Sequence, residues 1–261
     1  MASSERLIQL LGLFSTAQPV LTPARAMAAL GASRASIYRY LGQLEAAGFV
    51  ERVPERGYVL GPAIVELDRQ IRITDPLLEA ADGLIDKLSA ETGGTVLLCR
   101  FHGNKVLCIE QSVGPQAPAT ISYERGRAMP LYRGATSRII LAFLPRPMLE
   151  SLWRSYRKDM VKAGMPSSFA ALRAALAPLR EARFCETTGE VDRDARGFAI
   201  PILDGARVLG SLSVVLPAGP LKPAQHARIV SRLMTAGARI EARIEATRLN
   251  ARQKKSQESR K

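Results

Sequence analysis

Arg34, Tyr38, Arg39, Tyr40 and Gln43 crowd into "SRASIYRYLGQLEAAGFV", residues 33–50, beside the small side chains of Ala35, Ser36, Gly42 and Ala46. At helical spacing Ile37, Leu41 and Leu44 fall on one side, with Tyr40 at its border. The opposite side is nearly bare: Ala35, Arg39, Gly42 and Ala46, flanked by Ser36, Tyr38 and Gln43. Long hydrogen-bonding side chains on a stripped helix face suit the reading of base edges in a duplex groove. Arg39 can set two parallel bonds on guanine, and Gln43, one turn later, can do the same on adenine. Ser33, Arg34, Ser36 and Tyr38 suit phosphate oxygens, which fix position without reading sequence.

Such a helix needs a scaffold, and the flanking residues supply one. Residues 5–15 read as a first helix. In "TPARAMAALG" Thr22 can cap a second, Pro23 opens it and Gly31 closes it. The third opens at Ser33, runs to Ala47 and stops at Gly48, which makes a helix-turn-helix pair. "FVERVPERGYVLG" then offers two short strands, Phe49–Val53 and Tyr58–Leu60, joined around "PERG". Helix-turn-helix plus hairpin is a winged helix, and Arg56 at the tip can reach a flanking phosphate or the minor groove. The alternative is that Arg34, Arg39 and Arg56 are solvated charges on a small helical domain.

The bulk numbers frame this reading. With 261 residues, 47% hydrophobic and 23% charged, the chain is an ordinary globular protein with room for two domains. No apolar run approaches the ~20 residues of a membrane span. Leu7 to Phe14 looks like the apolar part of a secretion signal. Glu5 precedes it, however, Gln9 interrupts it, and Leu7, Leu10, Leu11 and Phe14 recur at helical spacing, so a core helix and a cytoplasmic protein are expected. Cys99, Cys108 and Cys185 form no CxxC pair. Cys99 and Cys108 are expected to face each other, reduced, across a hairpin turned at Gly103-Asn104. The net charge of +13 suggests a polyanionic partner, yet residues 1–75 hold only eight Lys/Arg against seven Asp/Glu. Local geometry, and not total charge, carries the nucleic-acid reading.

"DPLLEAADGLIDKLSAETG" reads as one amphipathic helix capped by Asp75. Strand-like runs follow ("TVLLCRF", "KVLCIEQSV", "ATISYE"), then helices at 135–145, 147–158 and 168–182. Two more strands, "RGFAIPIL" and "RVLGSLSVVL", meet at Asp204-Gly205, and a closing helix runs from Pro223 to about Asn250. This order predicts an α+β domain with an antiparallel sheet flanked by helices. In "GRAMPLYRGATSRIILAFLP", 126–145, Pro130 and Gly134 bracket a loop that runs into an apolar helix. Free N–H groups at Ala135, Thr136 and Ser137, with Arg133 and Arg138 alongside, would make an anion-ready site. Equally, Thr136 or Ser137 can cap the helix while both arginines face water. No Walker loop, GxGxxG, HExxH or GxSxG occurs, and His102 and His226 stand far apart, so no catalytic residue, metal or cofactor is expected.

"LIQLLGLF…LTPARAMAALGASRASIYRYLGQLEAAGFVERVPERGYVLG" resembles the N-terminal domain of IclR-family bacterial transcriptional regulators. "PLYRGATSRIILA" resembles that family's effector loop, and 189–205 its acidic segment leading into a strand. The resemblance covers roughly residues 5–245. It implies a winged helix-turn-helix domain (1–61), a linker helix (62–74), a GAF-like effector domain (75–250) and a disordered tail (251–261). It also implies a homodimer or tetramer on operator DNA. An organic acid would be held by Met129, Leu131, Arg133, Gly134, Ala135 and Thr136, with Ala195, Gly197 and Ser213 opposite. Ser137-Arg138 replaces the family's usual Gly-Lys, Tyr132 stands where His is common, and Arg133 replaces a small residue. A guanidinium there points to a carboxylate or other acidic ligand, aromatic acids included. Three rivals stay open: an enzyme with an accessory DNA-binding domain, a nucleic-acid-packaging protein, and a peptide-binding adaptor on a winged helix.

Overall fold

The computed structural model describes residues 3–118 and 121–258, with side chains placed for 4–118 and 121–253. The chain divides into two compact units, Met1–Asp75 and Pro76–Lys261.

The first unit holds α1 (Ser3–Leu11), α2 (Pro23–Leu30), α3 (Arg34–Ala46), the hairpin β1 (Val50–Val53) and β2 (Gly57–Leu60), and α4 (Ala63–Thr74). The caps form where the residue types predict them. Thr22 Oγ1 accepts from the Arg25 N–H at 3.2 Å, Ser33 Oγ accepts from the Ser36 N–H at 3.3 Å, and Gly31 closes α2 at φ 56°. Leu10, Leu21, Ala26, Ile37, Tyr40, Leu41, Leu44, Val50 and Tyr58 form the core. α1 ends at Leu11, not at residue 15 as the apolar spacing suggests. The Arg25 guanidinium donates to the carbonyls of Leu13, Gln18 and Val20, so the chain after Gly12 is tied to α2 instead of continuing as helix. Leu21 and Tyr58 exchange backbone bonds of 2.8 and 2.9 Å, which fastens the wing to the segment before α2. Gly57 permits this at φ 127°, since a Cβ there would stand 2.6 Å from the Leu21 carbonyl oxygen. On α4 the apolar residues Val65, Leu67, Ile71 and Ile73 are exposed.

The second unit is built on six antiparallel strands: β3 (Thr95–His102), β4 (Lys105–Ser112), β5 (Ala128–Pro130), β6 (Cys185–Thr188), β7 (Ala195–Asp204) and β8 (Arg207–Pro217). Their order across the sheet is β5-β4-β3-β8-β7-β6. Strand side chains alternate between two apolar layers. Val96, Leu98, Phe198, Ile200, Leu212 and Val214 join the layer that also holds residues of α5 (Pro76–Ala81), α6 (Leu84–Thr92) and α10 (Pro223–Glu258). Leu97, Cys99, Ala199 and Val215 join the other, with α7 (Gly134–Phe143), α8 (Arg146–Lys162) and α9 (Phe169–Ala182). Helices on both faces explain why these strands read as nearly continuous apolar runs. Cys99 and Cys108 are paired residues on β3 and β4, buried and unbonded, as the hairpin at Gly103-Asn104 predicts.

Several expectations are corrected. The helix expected over 75–93 breaks at Asp82-Gly83, where Gly83 takes φ 70°, and Asp75 caps the end of α4. In "ATISYE" residues 121–124 are irregular, because Ser122 and Tyr123 are anchored through hydrogen bonds to Asp192, Arg133 and Ser137 and not through a strand ladder. Ala119 and Thr120 lie outside the described residues. Short β5 and β6 were not expected, since three or four residues carry too little alternation to be seen. α10 runs on to Glu258, past Asn250 and through most of the tail expected to be disordered, as no Gly or Pro interrupts it. Residues 259–261 fall outside the described residues.

A test of the sheet is Gly210, where a Cβ would lie 1.8 Å from the Cys99 carbonyl oxygen. Gly210→Ala should lower stability in urea unfolding by at least ~1–3 kcal/mol. Gly219→Ala, with nothing within 4 Å, should stay within about 0.5 kcal/mol of wild type.

Candidate functional site

α3 presents two different sides. Ile37, Tyr40, Leu41 and Leu44 are buried, while Arg34, Ala35, Tyr38, Arg39, Gly42, Gln43 and Ala46 are exposed. A Cβ on Gly42 would meet nothing within 4 Å, so the middle of the outward face is open to a close partner. The two arginines rest on aromatic rings. The Arg34 guanidinium lies 5.6 Å from the Tyr38 ring centre and that of Arg39 lies 5.2 Å from the Tyr40 ring centre. Stacking on a ring limits the conformers a long side chain must give up on binding. The Ser33 and Ser36 hydroxyls are 3.0 Å apart, so both are engaged in the cap at the start of the helix. Arg56 is exposed in the turn between β1 and β2.

In the second unit the start of α7 faces the segment before β7. Gly134 opens α7 at φ 76°, and a Cβ on it would stand 2.7 Å from Val191 Cγ2, so the approach requires glycine. Between them lies a cavity of about 30 Å³, room for one or two waters. Of the residues the sequence suggests, Gly134, Ala135, Thr136, Ala195 and Gly197 line it. Met129 and Leu131 instead line a separate apolar cavity of about 220 Å³ with Leu152, Tyr156 and Met160. Arg133 is exposed and lines an open cleft of about 480 Å³ with Tyr132, Asp159 and Lys162. Ser213 is fully buried on the same sheet face as Val215, which lines the small cavity, and its hydroxyl has no hydrogen-bond partner. Lining residues that sequence reasoning did not single out are Ile121, Tyr123, Thr187, Glu190, Val191, Asp192 and Val215. The acidic segment 189–205 held the signal for Glu190 and Asp192, whereas nothing local marks Tyr123 or Thr187.

Of the N–H groups expected to be free at Ala135, Thr136 and Ser137, that of Ala135 already has a partner, as does that of Gly134 before it. The Gly134 N–H donates to Glu190 Oε2 at 3.2 Å, and the Ala135 N–H to Thr187 Oγ1 at 3.0 Å. Glu190 Oε1 pairs with Arg138 at 2.9 Å, and Arg133 donates to the Glu190 carbonyl at 2.7 Å. Asp192 accepts from the backbone N–H and hydroxyl of Ser122. Tyr123 Oη lies 3.1 Å from the Arg133 carbonyl oxygen and 2.6 Å from Ser137 Oγ, which fixes the loop against α7. Burial pushes the Tyr123 phenol well above its usual range despite the Ser137 bond, so it stays a neutral donor. Burial likewise raises the Cys185 thiol to about 12, with Arg138 pulling it down and Glu190 and Glu186 pushing it further up. Cys99 is raised by burial and by Cys108. These thiols are poor nucleophiles. Among the described residues no cluster of His, Cys, Asp or Glu could hold a metal ion, and no helix is long and apolar enough to cross a membrane.

Comparison with known proteins accounts for both units. The family profile described as IclR helix-turn-helix domain matches residues 3–54, and the one described as bacterial transcriptional regulator IclR C-terminal matches residues 73–242. The chain is similar to the HTH-type transcriptional regulator XynR of Escherichia coli, 28% identical over 238 residues, covering 90% of this chain and 94% of that one. Among solved structures it shares its fold with an IclR transcriptional regulator from Alicyclobacillus acidocaldarius (TM-score 0.75, 24% identity, 93% of this chain and 98% of that one). It also shares it with an IclR homologue from Microbacterium hydrocarbonoxydans complexed with 4-hydroxybenzoate (TM-score 0.75, 19% identity, 94% and 100%).

Removing the phenol oxygen tests how the loop is held. Tyr123→Phe leaves the buried Ser137 hydroxyl short of a partner and should cost about 1–3 kcal/mol in urea unfolding. An unchanged midpoint would mean that this bond does not hold the loop.

Proposed function

The chain belongs to the IclR family of bacterial transcriptional regulators, and from that premise we propose which surfaces read DNA and which cavity takes the effector. It is a DNA-binding regulator with a C-terminal effector domain, and its relatives are regulators, not enzymes. Two copies place α3 in successive major grooves of an operator, so the self-association sets half-site spacing. Arg39 and Gln43 read base edges, while Ser33, Arg34, Ser36, Tyr38 and, from the wing, Arg56 hold phosphates. The observation that carries this reading is the bare outward face of α3, with Gly42 at its middle and Arg39 and Gln43 beside it. The exposed apolar residues of α4 support self-association.

The effector is a small organic acid seated between the start of α7 and the 195–197 segment. The cavity lined by Gly134, Ala135, Thr136, Ala195 and Gly197 supports this, as does the unpartnered Ser213 hydroxyl on the sheet face it shares with the lining residue Val215. The relative solved with 4-hydroxybenzoate supports an aromatic acid as the first class to try. Arg133 belongs to the approach to the cavity and not to its floor, which revises its role from clamp to attraction. Met129 and Leu131 support the loop from the far side. Effector binding alters the DNA-competent population only through a difference in affinity between two conformations, and a few kcal/mol suffices.

Arg39→Ala should lose preference for operator over random DNA, by roughly 1–3 kcal/mol, while keeping weak, salt-sensitive binding. Gly42→Leu should fold normally and lose operator binding. Retained preference in either variant, measured by fluorescence anisotropy at several salt concentrations, would exclude base reading by this face. A thermal-shift screen of organic acids tests the effector class, since a ligand of the folded state raises the melting temperature by mass action. A screen in which only neutral compounds act would reject the acid.

A further inference from the structure

The anion position at the start of α7 is filled by the chain's own carboxylate. Glu190 Oε2 accepts from the Gly134 N–H, Oε1 pairs with Arg138, and its carbonyl is held by Arg133. Glu190 also lines both the 30 Å³ cavity and the wider 480 Å³ cleft. Val191, next to it, presses against Gly134, and Asp192 is tied to Ser122. Glu190 therefore stands between the cleft and the cavity, and Val191 and Asp192 continue the cavity wall. Of the charges around it, Arg133, Lys162 and Asp159 line the cleft, Asp192 lines the cavity, and Arg138 pairs with Glu190 itself.

We propose that Glu190 is an internal stand-in for the effector's acid group and the gate of the cavity, so that an acidic ligand enters by exchanging with it. This rests on the effector-site reading above and names how that site is regulated. Three observations carry it. Arg138 spends one donor on Glu190, while its Nε is buried without a partner, so the guanidinium is not saturated by the internal carboxylate. A ligand carboxylate presenting both oxygens can use both. The Ser213 hydroxyl, fully buried on the sheet face below α7, also lacks a partner. Finally, about 30 Å³ cannot hold an aromatic or branched acid while Glu190 stays in place. A cleft bearing Arg133 and Lys162 draws in an anion, and the exchange keeps the charge balance at Arg138 unchanged.

Chemical rescue tests this without knowing the natural effector. In Glu190→Ala the Gly134 N–H and Arg138 lose their anion, and acetate should take its place. Against sodium chloride at equal ionic strength, acetate at about 50 mM should raise the melting temperature of Glu190→Ala by roughly 2–4 °C, saturably. Wild type should not respond, nor should the double variant Arg138→Ala with Glu190→Ala. Glu190→Gln, which keeps the volume and one acceptor, guards against a variant that does not fold and should respond in the same direction. Acetate that shifts wild type and both single variants alike, or none of them, overturns the stand-in. The effector reading fails separately, if a panel of organic acids led by 4-hydroxybenzoate stabilises neither wild type nor Glu190→Gln. If Glu190 is the gate, any acid that does bind should bind Glu190→Gln at least tenfold more tightly than wild type, whereas its neutral amide should not discriminate. Equal affinity of the acid for both proteins overturns the gate.

Discussion

A helix that enters a groove cannot fill its own outward face, and this one constraint orders the first unit. α3 must be held from a single side, so all its adhesion is concentrated in Ile37, Tyr40, Leu41 and Leu44. Helical propensity gives little help, because Gly42 costs about 1 kcal/mol relative to alanine. Stability has to come from elsewhere: the Thr22 and Ser33 caps, the Arg25 grip on the preceding loop, and the Leu21–Tyr58 pairing that anchors the wing. Each lies off the outward face. The arginines are kept short of solvent freedom by Tyr38 and Tyr40, which supply ordering without adding bulk toward a partner.

The second unit meets a related constraint by other means. Its sheet is covered on both faces, so a ligand site cannot lie on the open surface of a strand. The site proposed for the effector lies where covering is hardest, at the start of α7, whose first N–H groups have no partners within the helix. Arg133 at the cap position offers no capping side chain. The donors are met from across the cavity by Glu190 and Thr187, which makes the closure of the wall and the satisfaction of the helix end the same event.

Much of the first unit could be read from residue types because its determinants are local. Thr22-Pro23 and Gly31 bound α2, Ser33 and Gly48 bound α3, and the apolar spacing of α3 separates its two sides. The second unit was legible in its strands and in the loop at 126–145, but not in its closing contacts. Glu190 meets Gly134 from 56 positions away and Thr187 meets Ala135 from 52, distances at which no pattern of residue types signals a hydrogen bond. The same non-locality explains why "ATISYE", with good strand composition, is irregular over 121–124, and why Arg133 turns toward an open cleft. The break at Asp82-Gly83 was visible in principle, yet a single glycine is a weak signal inside a strongly amphipathic run.

An internal carboxylate changes what effector affinity can be made of. A ligand that replaces Glu190 gains bonds to Gly134 and Arg138 that the protein gives up in the same step, so the anion position contributes little net binding. Glu190 is partly exposed, which weakens its ion pair further and keeps the exchange low in cost. Affinity must then arise from apolar contact within the cavity and from the one Arg138 nitrogen, Nε, that Glu190 leaves unpartnered. Shape, and not charge, becomes the basis for choosing among acids, while charge governs admission. Displacement also has a structural consequence that mere filling would lack. The residue that leaves is covalently continuous with the segment entering β7, so occupancy is coupled to the position of 190–194 whatever acid is bound.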